Sequence, residues 1–111
     1  MTIVKIKRKN DNIICVECSN HTGFANFGKD IVCAGISSIT QTAVLGIKEL
    51  TNLKHSFKIN EKTGYLKLEL IDIENESVDF KNAQIILKTM LLGVKNLQEQ
   101  YPKYIKLEDK E

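Results

Sequence analysis

The sequence predicts an α+β fold: a two-layer sandwich with a mostly antiparallel sheet of about four strands and two helices packed on one face, in the order β-β-α-β-β-α. Three observations carry this expectation. Residues 31–50 and 80–100 repeat apolar side chains at helical spacing. Residues 2–9, 13–18, 55–60 and 65–72 alternate or are rich in β-branched side chains, and short polar turns join them in pairs. Helices with one apolar stripe and strands with one wet face must bury the other side against each other, which makes two layers. The sequence leaves the strand order open.

In chain order, residues 2–9 place Val4 and Ile6 on one face, and Lys9-Asn10-Asp11-Asn12 is a turn. Residues 13–18 return, so a hairpin is the simplest joint reading. Residues 19–29 are rich in Gly and Asn, show no sustained period, and read as a loop. Asp30 is an N-cap type, so the first helix starts at Ile31. Its apolar face is Val32, Ile36, Ile39, Ala43, Ile47 and Leu50, with Gly35, Thr42 and Gly46 on one flank. A glycine inside a helix costs about 1 kcal/mol against alanine, so Gly35 and Gly46 imply close packing there.

Residues 61–64 form a turn with Gly64 where a positive φ is expected. In residues 65–72, Leu66, Leu68 and Leu70 alternate with Lys67 and Glu69. Ser77 and Asp79 are N-cap candidates for the second helix, whose face is Ala83, Ile86, Leu87, Met90, Val94, Leu97 and Tyr101. Pro102 ends it. Residues 104–107 form a short extra strand, and the tail 108–111 is expected to fray.

The length of 111 residues fits a single domain, 1–111, and 42% apolar with 27% charged residues suits a modest core under a soluble surface. No apolar run approaches the roughly 18 residues that span a bilayer, and the first nine residues lack a signal-peptide apolar region. A cytoplasmic location, with no membrane partner, is the expectation. The net charge of +2 does not argue for direct nucleic-acid binding, and Lys5, Lys7, Arg8 and Lys9 read as a solvated strand edge. Three cysteines without an export signal argue against a disulfide framework.

Residues 19–38 concentrate the chemistry: His21, Gly23, Gly28, Asp30 and Cys33 lie close together. Cys33 takes the third helical position, where unpaired N–H groups and the helix dipole favour a thiolate. His21 sits upstream on a loop that two glycines could fold back over that turn. A thiol, a base and free N–H groups are the parts of a cysteine nucleophile site.

Each residue also has a plainer reading. Cys33 could be an inert buried thiol, and His21 and His55 ordinary surface and strand-end histidines. Cys15, Cys18, His21 and Cys33 allow a zinc reading, weakened because strand residues three apart point to opposite faces. Asp30 either caps the helix or orients His21. Ser37, one turn from Cys33, bonds within the site or back to a helix carbonyl. Gly23 and Gly28 provide turns or a mobile lid, and Phe24 and Phe27 either dock into the core or close over an apolar peptide.

The run H-T-G-F-A-N-F-G-K-D-I-V-C-A-G-I-S, residues 21–37, resembles the signature of a small bacterial family, the ribosomal-processing cysteine protease Prp. That signature is roughly G-H-A, a spacer, then G-x-D-I-V-C-A-A-[VI]-S. His21, Gly28, Asp30, Ile31, Val32, Cys33, Ala34 and Ser37 match it. Asn20 replaces the usual glycine, Thr22 the usual alanine, and Gly35 the second alanine after the cysteine. The element order and the ending Y-P-K-Y-I extend the likeness. The resemblance implies a cysteine endopeptidase with Cys33 as nucleophile, His21 as general base, and no cofactor; the strand position of Cys15 and Cys18 argues for no metal. It implies a homodimer that removes the N-terminal extension of a large-subunit ribosomal protein, cutting after aromatic residues during ribosome maturation. The rival class is a non-enzymatic, ribosome-associated or regulatory binding module in which Cys33 is structural.

Overall fold

The computed structural model describes residues 1–26, 29–71, 73 and 77–110. Their elements are β1 (Thr2–Lys9), β2 (Asn12–Ser19), α1 (Ile31–Leu50), β3 (His55–Asn60), β4 (Tyr65–Leu70), α2 (Val78–Gln100) and β5 (Ile105–Lys110). The α+β class and the element order are as expected, but the sheet has five strands, ordered β3-β4-β2-β1-β5. Neighbours are antiparallel except β1 and β5, which run parallel.

The expected fray of residues 108–110 is corrected. They continue β5, with Glu108 opposite Lys5 and Asp109 opposite Ile6. Arg8 locks that end: its Nε donates to Asp109 Oδ1 at 2.8 Å and its Nη2 to Oδ2 at 3.0 Å. This charge-assisted fork is a strong pairing geometry, and it holds the Asp109 carboxyl below its usual range.

Register explains the two layers. Val4, Cys18 and Leu66 form one cross-strand row, and Ile6, Val16 and Leu68 the next; all are buried beneath the helices. On the other face Glu108, Lys5, Glu17 and Lys67 form a row of alternating charge across four strands, a favourable pairing for a wet face. Val32, Ile36, Ala43, Val44 and Ile47 of α1 and Phe80, Ala83, Leu87, Met90, Leu91 and Val94 of α2 complete one core.

The helices meet through glycine. A methyl group on Gly35 would come within 3.1 Å of Leu97, on Gly46 within 3.4 Å of Ile86, and on Gly93 within 3.3 Å of Ile39. Leu50, assigned to the buried face by spacing, is instead 73% exposed, because the chain leaves the helix there and Leu53 fills the core. By length and composition α1 could cross a membrane, contrary to the sequence expectation; here its apolar face is spent on the core.

Helix α2 begins before residue 80, with Ser77 Oγ accepting the Phe80 N–H at 3.1 Å. Strand β4 ends at Leu70, short of residue 72. Gln84, absent from the expected face, is buried and bonds both ways to Ile13, giving to its carbonyl at 2.8 Å and accepting its N–H at 2.7 Å. It serves the β2 backbone where the β1–β2 register shifts.

One edge of the helix-covered face stays open. Phe57 and Ile59 of β3 oppose Leu68 and Leu66, so they point to the helix side, yet they are 38% and 42% exposed. A trough therefore runs between α1 and the edge strand β3.

Candidate active site

The start of α1 is built around one carboxylate. Asp30 adopts an extended backbone (φ −84°, ψ 97°), and its Oδ1 accepts the Cys33 N–H at 2.8 Å as an N-cap. Its Oδ2 accepts from Thr22 Oγ1 at 2.6 Å, from the Phe24 N–H at 3.1 Å and from the Ala25 N–H at 3.5 Å. Burial raises the Asp30 pKa, but the four donors outweigh it and hold the carboxyl below its usual value. Asp30 thus caps the helix and also stitches the loop just after His21 onto it.

Asn20 takes the left-handed conformation (φ 69°), which asparagine tolerates better than most residues, so it can stand where the family pattern has glycine. The Asn20 carbonyl accepts the Thr2 hydroxyl at 2.8 Å, and the Thr2 N–H bonds the Tyr104 carbonyl at 2.9 Å. The loop's other flank is therefore braced by β1 and by the approach to β5.

These ties bring His21 and Cys33 together. His21 Nδ1 lies 3.5 Å from Cys33 Sγ. His21 Nε2 lies 2.9 Å from the Lys62 carbonyl oxygen in the β3–β4 turn. A carbonyl only accepts, so Nε2 carries a proton and the lone pair of the neutral ring faces sulfur. The imidazole can take the thiol proton at Nδ1 while its far side stays anchored. Nothing in the residue pattern pointed to Lys62; glycine at residue 64 was the only nearby signal.

Cys33 is half-buried and opens into a cleft of about 540 Å³. The cleft is the trough beside β3, lined by Asn20, Ser37, Gln41, Ile59, Asn60 and Tyr65 among others. Ser37 is exposed there, one turn beyond Cys33. The expectation of free first-turn N–H groups is narrowed: the Cys33 N–H goes to Asp30 Oδ1, and the Ala34 N–H goes to the Asp30 carbonyl at 3.0 Å.

The other candidates fall elsewhere. Cys18 is in the core, and burial, with Glu17 beside it, pushes its thiol up to about 12. Cys15 lies on the opposite face, facing Lys7 and Glu69, and burial raises its thiol too. Among the described residues no three His, Cys, Asp or Glu side chains gather to hold a metal. His55 bonds the Leu53 carbonyl at 2.9 Å at its strand end. Gly23 provides a turn at φ 78°. Phe24 neither enters the core nor covers the cleft. It stands edge-on to Tyr101 and Tyr104, with ring centroids 5.7 and 5.3 Å away. Phe27 and Gly28 lie outside the described residues.

A family described as cysteine protease Prp matches residues 1–106 of the chain. The chain is 31% identical over 87 residues to a ribosomal processing cysteine protease Prp of Staphylococcus aureus, covering 78% of this chain and 77% of that protein. It is 29% identical over 100 residues to its Bacillus subtilis counterpart, covering 86% of each. Among solved structures, the S. aureus ribosomal processing protease Prp with a covalently linked product peptide superposes with a TM-score of 0.88 at 29% identity, covering 99% of this chain and 100% of that one. The same enzyme with a substrate peptide gives 0.83 at 28% identity, covering the same shares.

Proposed function

Because the chain belongs to the cysteine protease Prp family, we propose that this cysteine protease of ribosomal processing removes the N-terminal extension of a large-subunit ribosomal protein, cutting after an aromatic residue. The observation that carries the reading is the 3.5 Å contact of His21 Nδ1 with Cys33 Sγ at the mouth of an open cleft.

The reaction follows from that contact. Nδ1 takes the thiol proton, and the thiolate attacks the peptide carbonyl carbon. The tetrahedral oxyanion collapses, the C–N bond breaks, and the leaving amine recovers the proton from Nδ1. A water, deprotonated by Nδ1, then attacks the thioester; the C–S bond breaks and the cysteine regains its proton. Ser37 and the N–H groups of Ile31 and Val32 are the candidate oxyanion donors. Asp30 is the supporting residue that fixes both partners.

The 19–29 loop, with Gly23, Phe24, Phe27 and Gly28, is proposed to order further over a bound peptide. We also propose that the protease is a homodimer acting in the cytoplasm as a single domain without a cofactor. The outward Leu45, Ile85 and Leu92, each more than half exposed, are apolar surface that self-association would cover. A reducing compartment suits its free thiols.

The test is cleavage of a synthetic peptide spanning such an extension, read by mass spectrometry. Cutting at one aromatic site, lost in Cys33→Ala, is expected. An intact peptide after prolonged incubation with folded wild-type protein overturns the substrate assignment.

A further inference from the structure

We propose that Gly64 is a positioning residue for the base: the β3–β4 turn, by approaching the His21 backbone more closely than any side chain permits, holds His21 in the tautomer the reaction needs. The proposal rests on reading Cys33 and His21 as nucleophile and base.

Gly64 has φ +69°, and a Cβ there would lie 2.7 Å from the Asn20 carbonyl carbon, 2.8 Å from its oxygen and 2.9 Å from the His21 nitrogen. These are backbone atoms and cannot swing aside, so a side chain at this position forces the turn and the histidine loop apart. The same turn supplies the Lys62 carbonyl at 2.9 Å from His21 Nε2.

The turn is braced internally. Asn60 Oδ1 accepts the Lys62 N–H at 3.1 Å, the Thr63 hydroxyl donates to the Asn60 carbonyl at 3.3 Å, and the Gly64 N–H bonds the Glu61 carbonyl at 3.4 Å. A displacement at Gly64 is therefore passed to Lys62. Once the carbonyl leaves Nε2, its selection of the Nε2–H form is lost, and the Nδ1 lone pair is held less firmly on sulfur. A backbone carbonyl thus does the orienting work that a carboxylate does in a triad, and its placement depends on an absent side chain.

The experiment needs no peptide, so it is independent of the substrate assignment. Nitrogen-15 NMR of labelled histidine reports which ring nitrogen carries the proton, and iodoacetamide reports Cys33 reactivity against pH. In the wild type above the imidazole titration, His21 should be protonated at Nε2. Gly64→Ala, checked for folding by near-UV circular dichroism, should show mixed tautomers. Its Cys33 alkylation near neutral pH should fall at least about tenfold, part of the about 10²–10⁴-fold that a positioned base supplies.

Asn60→Ala removes one tie of the brace, the Asn60 Oδ1 bond to the Lys62 N–H, without adding bulk. It should shift both readouts the same way by less, which keeps the idea testable if Gly64→Ala does not fold. An Nδ1–H tautomer in the wild type, or wild-type tautomer and alkylation profile in either folded variant, overturns the proposal.

Discussion

The Thr22 hydroxyl donates to Asp30 Oδ2 over 2.6 Å, and both residues are buried. The family pattern has alanine at the threonine position, so this chain adds a tie of its own between the histidine loop and the helix start. Thr22→Ala should cost about 1.5–3 kcal/mol of stability, the usual worth of a hydrogen bond to a charged group. Three backbone donors to Asp30 remain, so activity should fall far less than in His21→Ala. Thr22→Ser should recover most of the loss in urea denaturation. Equal midpoints for wild type and Thr22→Ala would refute the tie.

Acid should loosen the same place. The folded pKa of Asp30 is lower than its unfolded reference of 3.8. The stability it contributes is therefore complete above that value and is lost as pH falls through the folded pKa. Asp109, lowered by Arg8, acts in the same direction. Thermal melting should drop on acidification through about pH 4 and below, and Asp30→Asn should show a shallower dependence. An unchanged acid slope in that variant sinks the claim.

Alkylation of the native protein near neutral pH should mark one cysteine. Cys18 and Cys15 are held as thiols by burial, whereas Cys33 opens to the cleft beside an imidazole. Peptide mapping after brief iodoacetamide treatment should find the label at Cys33. Comparable labelling of all three would mean that this thiol is not activated.

His21→Ala should leave the fold intact and lower kcat by about 10²–10⁴-fold, the typical worth of general base catalysis. Wild-type turnover by the folded variant would remove His21 from the mechanism.

Phe24 offers a handle on the loop. Its edge contacts with Tyr101 and Tyr104 are each worth about 0.5–1.5 kcal/mol in favourable cases. Phe24→Ala should speed amide exchange in residues 20–26. Peptide bound to Cys33→Ala should slow it. Identical exchange with and without peptide would leave no room for a closing loop.

Much of this was legible because it is local. Apolar periods at Val32, Ile36 and Ala43 and at Leu66, Leu68 and Leu70 specify elements and their inward faces, and Asp30 and Ser77 mark helix starts with their own side chains. Non-local pairings were not legible. Tail residues 108–110 carry no apolar signal; they are held by cross-strand partners and by Arg8, distant in sequence. Likewise the Lys62 carbonyl is a main-chain atom, which any residue type could provide. Asp30 offered two roles: one oxygen caps the helix, while the other holds the loop after His21, whose ring nitrogens face Cys33 Sγ and the Lys62 carbonyl.

The parallel pairing of β5 with β1 has a consequence for timing. Thr2 and Asn20 settle beside Tyr104 only when the last strand has joined the first. During synthesis Thr2 and the histidine loop emerge well before Tyr104, which completes the brace. Until β5 has paired with β1, the loop that carries His21 lacks this tie, and its approach to Cys33 should be correspondingly looser.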